Sequence, residues 1–150
     1  MTAAASIIQV WDLRRAKLKK KFGIKGSAKR PRVTADGKFI VWLDKEKSLS
    51  VWNLDKGKKL WQVENTGLNN FDISPDGKQA VGPYFQYENI DVDGKPRRRV
   101  VGRGIKAWNL SDGEELWQIA SDERNLGSMQ LFFLPDGKQF IGLVGGSDKK

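Results

Sequence analysis

The chain has 150 residues, room for one ordinary domain, and its 39% hydrophobic and 30% charged side chains favour folding over disorder. It contains no cysteine and no histidine, which excludes disulfides and thiolate metal sites and removes the commonest general base and near-neutral pH switch. The formal charge of +9 favours an acidic partner: nucleic acid, an anionic membrane or an acidic protein.

The start, MTAAASIIQV, lacks the basic and long apolar regions of a signal peptide. Residues 6–13, SIIQVWDL, are β-branched and aromatic and predict a strand. Arg14, Arg15 and Ala16 make a turn. KLKKKF at 17–22 then reads as an edge strand whose lysines block unwanted pairing. The competing reading of Arg14, Arg15, Lys17, Lys19, Lys20 and Lys21 is a nucleic-acid patch. A Gly- and Pro-containing loop spans 23–32. A short strand near 32–34, the Asp36-Gly37 turn and a strand at 38–43 follow, since Asp-Gly between apolar runs is a strong hairpin signal. Lys45, Glu46 and Lys47 form a turn before LSVWNL at 49–54 and KKLWQV at 58–63.

The cycle then restarts. NNFDIS at 69–74 predicts a strand, Pro75-Asp76-Gly77 the turn and KQAVGPYF at 78–85 the next strand. QYENIDVDGKPRRRVVGRG occupies 86–104 before IKAWNL resumes. EELWQI at 114–119, MQLFFL at 129–134, the Pro135-Asp136-Gly137 turn and KQFIGLV at 138–144 complete the order, and GGSDKK closes the sequence.

Two phrases therefore alternate. One carries Trp11-Asp12, Trp52-Asn53 and Trp108-Asn109; the other carries Asp36-Gly37, Asp76-Gly77 and Asp136-Gly137. The tryptophans are 41 and then 56 residues apart, and the turn aspartates 40 and then 60. A basic period near 40 fits four-stranded propeller blades. The excess places an insertion at 84–104.

These phrases resemble the WD-repeat β-propeller family. The resemblance implies that the Trp-Asp/Asn dipeptide ends a third strand and that the ADGK and PDGK turns join first to second strands. Asn53 and Asn109 replace the family's Asp, and its Gly-His dipeptide is absent, so the buried network of His, Ser or Thr, Asp and Trp is incomplete here. LDKGKKLW at 54–61 and LSDGEELW at 110–117 also look like the repeat of quinoprotein propellers, a family that includes quinone-dependent dehydrogenases. Both likenesses imply the same blade. Its inner strands should be apolar on both faces, as IVWL and QLFFL are. All six tryptophans fall in predicted strands and are expected in the core, each contributing roughly 1.5–3 kcal/mol or more by area.

The expected fold is all-β: propeller-like four-stranded antiparallel blades, two complete and a half blade at each end. The divisions are a half blade at 6–22, blades at 30–63 and 69–119, and a half blade at 129–144. Three blade equivalents fall short of the about 4 to 8 of closed propellers. The readings are a segment of a longer propeller, copies that assemble, with GGSDKK resembling the turn before a third strand, or an open, curved monomer.

Functionally, the expectation is a non-catalytic, cytoplasmic protein-interaction scaffold needing no cofactor or metal. Irregular positions are the likeliest binding surface. The candidates are Tyr84, Phe85, Tyr87, Lys95, Arg97, Arg98 and Arg99, aromatics and arginines of the kind found at interface hot spots. Three adjacent arginines beside Lys95 suit a phosphate or carboxylate. The simpler reading of the insertion is a longer β-hairpin turning at Asp93-Gly94. The alternatives for function are polyanion binding, with nucleic acid not favoured, and an oxidoreductase fragment of quinoprotein type. Partners are expected to be proteins, acidic ones included, with self-association completing a propeller; no membrane association is expected.

Overall fold

The structure, a computed structural model, describes residues 5–122, 126 and 128–144. The GGSDKK stretch, and with it the proposed turn before a third strand, lies outside the described residues. Sheet I pairs β1 (Ala5–Asp12) with β2 (Lys17–Lys25). Sheet II runs β3 (Lys29–Val33), β4 (Phe39–Leu43), β5 (Leu49–Asn53) and β6 (Lys58–Val63). Sheet III runs β7 (Asp72–Ile73), β8 (Gln79–Val92), β9 (Lys95–Asn109) and β10 (Glu115–Ala120). Sheet IV pairs β11 (Gln130–Phe133) with β12 (Phe140–Leu143). Every pairing is antiparallel between strands consecutive in sequence. The fold is thus all-β, with propeller-like four-stranded blades in sheets II and III and a half blade at either side. Among the described residues, no helix is long and apolar enough to cross a membrane.

The pleat explains the packing, because successive side chains of a strand point to opposite faces. In sheet II, Ile40, Trp42, Trp52 and Leu54 pack with Ile8, Phe22 and Ile24 of sheet I. The alternate residues Val41, Leu43, Leu49 and Val51 pack with Phe71, Ala80, Tyr84, Trp108 and Leu110 toward sheet III. Sheet III in turn places Val81, Phe85 and Ala107 against Leu131, Phe133 and Phe140 of sheet IV. Each inner strand is therefore buried on both sides, which is why its sequence does not alternate apolar with polar.

The same logic sorts the tryptophans. The third-strand ring of a sheet faces the preceding sheet. Trp52 stacks on Phe22 with centroids 6.0 Å apart, and Trp108 lies in the core shared with sheet II. The fourth-strand ring faces the following sheet: Trp61 donates its indole N–H to the Leu110 carbonyl at 3.1 Å, and Trp117 packs toward sheet IV. Trp11 is the correction to the expectation of six core rings. It is 53% exposed, because among the described residues no sheet packs on its face of sheet I.

The expected strand at 69–74 shrinks to Asp72–Ile73. Gly82 and Pro83 of β8 are the cause. A Cβ on Gly82 would sit 2.1 Å from the Asn70 carbonyl oxygen, so the incoming chain presses against the β8 backbone there. Pro83 has no N–H for a ladder, and its carbonyl accepts from Asn69 N at 3.3 Å. Pairing resumes further along, where Leu68 bridges Tyr84 and Phe85 N donates to Gly67 O at 3.0 Å.

Candidate interaction surface

The repeat turns are built locally. Asp36 Oδ1 accepts from the Thr34 hydroxyl at 2.7 Å and from Lys38 N at 3.0 Å, while Thr34 Oγ1 accepts from Phe39 N at 3.1 Å. Asp76 repeats this with the Ser74 hydroxyl at 2.6 Å and Lys78 N at 3.0 Å. The hydroxyl first, and then the lysine amide, hold both carboxyls below the ordinary carboxylate value. Asp136 keeps the Lys138 N bond at 3.0 Å, but Leu134 stands where the hydroxyl would be. Gly37, Gly77 and Gly137 all have φ near +70°, the left-handed region that glycine adopts without strain. The Trp-Asp/Asn dipeptide also serves a turn. Asp12 Oδ1 accepts from Arg14 N, Asn53 Oδ1 from Lys56 N and Asn109 Oδ1 from Ser111 N, at 2.7–3.0 Å. The turn bond needs an acceptor oxygen, which Asn supplies as Asp does. These signature residues shape turns, and Asp36, Asp76, Gly77 and Asn109 also line a cavity of about 680 Å³ between sheets II and III.

The insertion is a long hairpin. Beyond Tyr84↔Gly104, β8 and β9 stay paired from Phe85↔Arg103 to Val92↔Lys95. Those eight residue steps reach roughly 25 Å past the sheet. Asp93 and Gly94 have φ of 55° and 73°, the signs a tight two-residue hairpin turn requires, and Asp91 Oδ1 accepts from Gly94 N at 2.8 Å. A bulge at Gln86/Tyr87 shifts the register, leaving Val101 between the partners of Gln86 and Tyr87.

The candidate residues divide. Tyr84 and Phe85 are 6% and 8% exposed and belong to the cores facing sheets II and IV. Both serve mainly as packing, and Phe85 also lines a cavity between the hairpin and the β4–β5 connection. The arginine run is also split by the pleat. Arg97 and Arg99 share a face with Glu88 and Lys95, whereas Arg98 shares the other with Tyr87 and Val100. Arg99 is already paired to Glu88 at 2.7 Å, so three adjacent arginines do not make one clamp. Tyr87 is exposed enough to touch a partner, and Val92, Val100 and Val101 add exposed apolar surface.

One residue escaped the sequence reading. Lys47 turns the β4–β5 connection with φ of 63° and reaches the hairpin of the next sheet. Its ammonium donates to Asn69 Oδ1 at 2.6 Å and lies 5.3 Å from the Tyr87 ring centroid. Arg98 lies 4.3 Å from the same centroid. Burial first, and the Arg98 charge second, push the Lys47 pKa down. A cavity of about 310 Å³ is lined by Lys47, Tyr87 and Arg98, with Glu46, Asn65, Gly67, Phe85 and Gln86. A second, of about 180 Å³, shares Lys47 and adds Lys29, Arg30 and Lys45 beside Asp44. Nothing local marks Lys47; only its place opposite a hairpin about 40 residues downstream does. Among the described residues, no group of three or more His, Asp or Glu side chains is placed to hold a metal.

No protein-family model matches the chain. Over 113 residues it is 25% identical to a Lissencephaly-1 homolog of Caenorhabditis briggsae, covering 75% of this chain and 25% of that protein. The chain thus spans about a quarter of the length of that relative. Among solved structures it is similar to the hydrazine synthase of Kuenenia stuttgartiensis, with a TM-score of 0.59 and 18% identity over 89% of this chain and 36% of that one. At that identity the likeness shows the fold alone. The structural likeness agrees with the propeller-like fold, and the sequence likeness is in keeping with a distant similarity to WD-repeat proteins.

Proposed function

We infer that the chain is a non-catalytic, propeller-type interaction scaffold whose partner surface is the β8–β9 hairpin. The carrying observation is that the hairpin departs from the repeat and exposes Tyr87, Val100 and Arg98 past the point where sheet III has four strands. An aromatic ring, aliphatic area and an arginine together are the composition of an interface centre. The WD-repeat likeness of the relative supports a protein as the partner. The excess of basic side chains favours an acidic one. The nucleic-acid reading is weaker because the basic runs are apart. Arg14 and Arg15 turn β1 into β2, at the end of the sheets opposite the Asp93-Gly94 turn. The oxidoreductase reading has only fold-level likeness behind it.

Removing residues 88–91 and 96–99 together tests the assignment. It leaves Tyr87 followed by the Val92–Lys95 turn and preserves the facing of every remaining side chain, because four residues leave each strand. The shortened protein should keep its melting temperature within a few degrees and lose the proteins that the full chain captures and binds after purification. Undiminished binding by the shortened protein would remove the hairpin as the partner surface.

A further inference from the structure

Lys47 and Arg98 line one cavity and lie against one ring, yet among the described residues neither is held by a carboxylate. Among the described residues the hairpin's ion pair joins Arg99 to Glu88, and the Lys47 ammonium donates to the neutral Asn69 amide. Glu46 lines the same cavity without pairing to either cation. Two like charges brought together and partly shielded from water cost free energy that an incoming anion relieves. The Lys47 pKa is lowered by burial first and by the Arg98 charge second. Through Lys47 the cavity adjoins Lys29, Arg30 and Lys45, while the nearby Asp44 carboxylate is engaged by Ser48 N at 2.8 Å.

We propose that Lys47, Tyr87 and Arg98 form a receptor for a single oxyanion group, a carboxylate or phosphoryl on an extended segment of the protein partner. Lys29, Arg30 and Lys45 receive further acidic residues of that segment. This rests on the interaction-scaffold reading and specifies the chemistry of its partner. A peptide suits the groove better than a nucleic acid does. Glu46 and Asp44 interrupt the positive charge that a continuous phosphate backbone follows. Lys47 and Arg98 both lie against the Tyr87 ring, so a stacking base would have to compete with them.

The test measures binding of the full chain to three labelled peptides of one length: glutamate-rich, phosphoserine-bearing and glutamine-substituted. The charged peptides should bind and the glutamine peptide should not; which of the two binds more tightly identifies the source of the oxyanion. Lys47→Asn, which suits the left-handed backbone, and Arg98→Gln should each weaken binding about tenfold or more, as the loss of a charge-assisted hydrogen bond does. Arg97→Gln removes the same charge from the opposite face and should change binding by less than about threefold. Melting temperatures confirm that each variant folds. Equal losses for Arg97→Gln and Arg98→Gln would reduce the effect to net charge and overturn the proposal, as would preference for a single-stranded oligonucleotide. Should the shortened hairpin lose its partner while no charged peptide binds the full chain, the receptor fails and the scaffold reading stands. Should charged peptides bind while the shortened protein keeps its partner, the receptor stands and the hairpin fails as the partner surface.

Discussion

At the scale of single residues, the repeat turns carry a pH signature. Asp36 and Asp76 have carboxyl pKa values below the ordinary 3.8, through the Thr34 and Ser74 hydroxyls first and the Lys38 and Lys78 amides second. A carboxylate depressed by folding contributes stability that is fully present above its unfolded value and is lost as pH falls through its folded value. The chain should therefore weaken on acidification below about pH 4. Thr34→Val combined with Ser74→Ala should flatten that acid limb while costing some stability at neutral pH. Urea unfolding from pH 6 downward checks this, and an unchanged acid limb would deny the hydroxyls their role. Part of this was legible: the Asp-Gly pairs announced the turns. Thr34 and Ser74, two places before each aspartate, are the rest of the motif, and Leu134 in the third copy breaks it. What the sequence could not convey was Lys47. Its role depends on a left-handed backbone and a ring on another sheet, both consequences of tertiary structure.

At the scale of elements, strand order and turns followed from the punctuation of the chain, but strand length did not. NNFDIS is strand-compatible, yet β7 keeps two residues because Gly82 and Pro83 on its neighbour set the terms. The glycine is required by close approach: a Cβ would meet the Asn70 carbonyl oxygen at 2.1 Å and Leu68 Cδ2 at 2.9 Å. Neither the rigid backbone group nor the fully buried Leu68 can yield cheaply. Gly82→Ala should consequently destabilise by about 1–3 kcal/mol, the usual cost of overpacking. The gain of about 0.4–1 kcal/mol that Gly→Ala gives at unstrained sites should not appear. Chemical denaturation measures the difference, and a stabilised variant would contradict the observed approach of the two backbones. The insertion was legible as a hairpin from Asp93-Gly94, whereas the arginines' separation onto two faces needed the register, which the bulge at Gln86/Tyr87 resets.

At the scale of the molecule, one rule governs the two four-stranded sheets: each presents a third-strand tryptophan backward and a fourth-strand tryptophan forward. The rule leaves two faces uncovered in this chain. Sheet I exposes Ile7, Trp11 and Leu18, and sheet IV exposes Phe132, Ile141 and Leu143. Elsewhere the matching positions are deep in the core. Trp108, the counterpart of Trp11, is 3% exposed, and Leu43, the counterpart of Leu143, is also 3% exposed against 61%. Contiguous apolar side chains of this size normally mark contact surfaces. The isolated 150-residue chain should therefore associate as its concentration rises. Its charge of +9 opposes that association through self-repulsion. Added salt screens the repulsion and should strengthen it. Binding to a polyanion responds in the opposite sense, because counterion release weakens it steeply with salt, so the direction of the salt effect separates the two. Sedimentation velocity across concentration and salt makes the measurement. Trp11→Lys with Ile141→Lys should reduce the association at every salt, since each places a charge on an uncovered face. A wild-type chain that sediments as one monomer throughout would mean that these faces are too small or too well hydrated to bind each other.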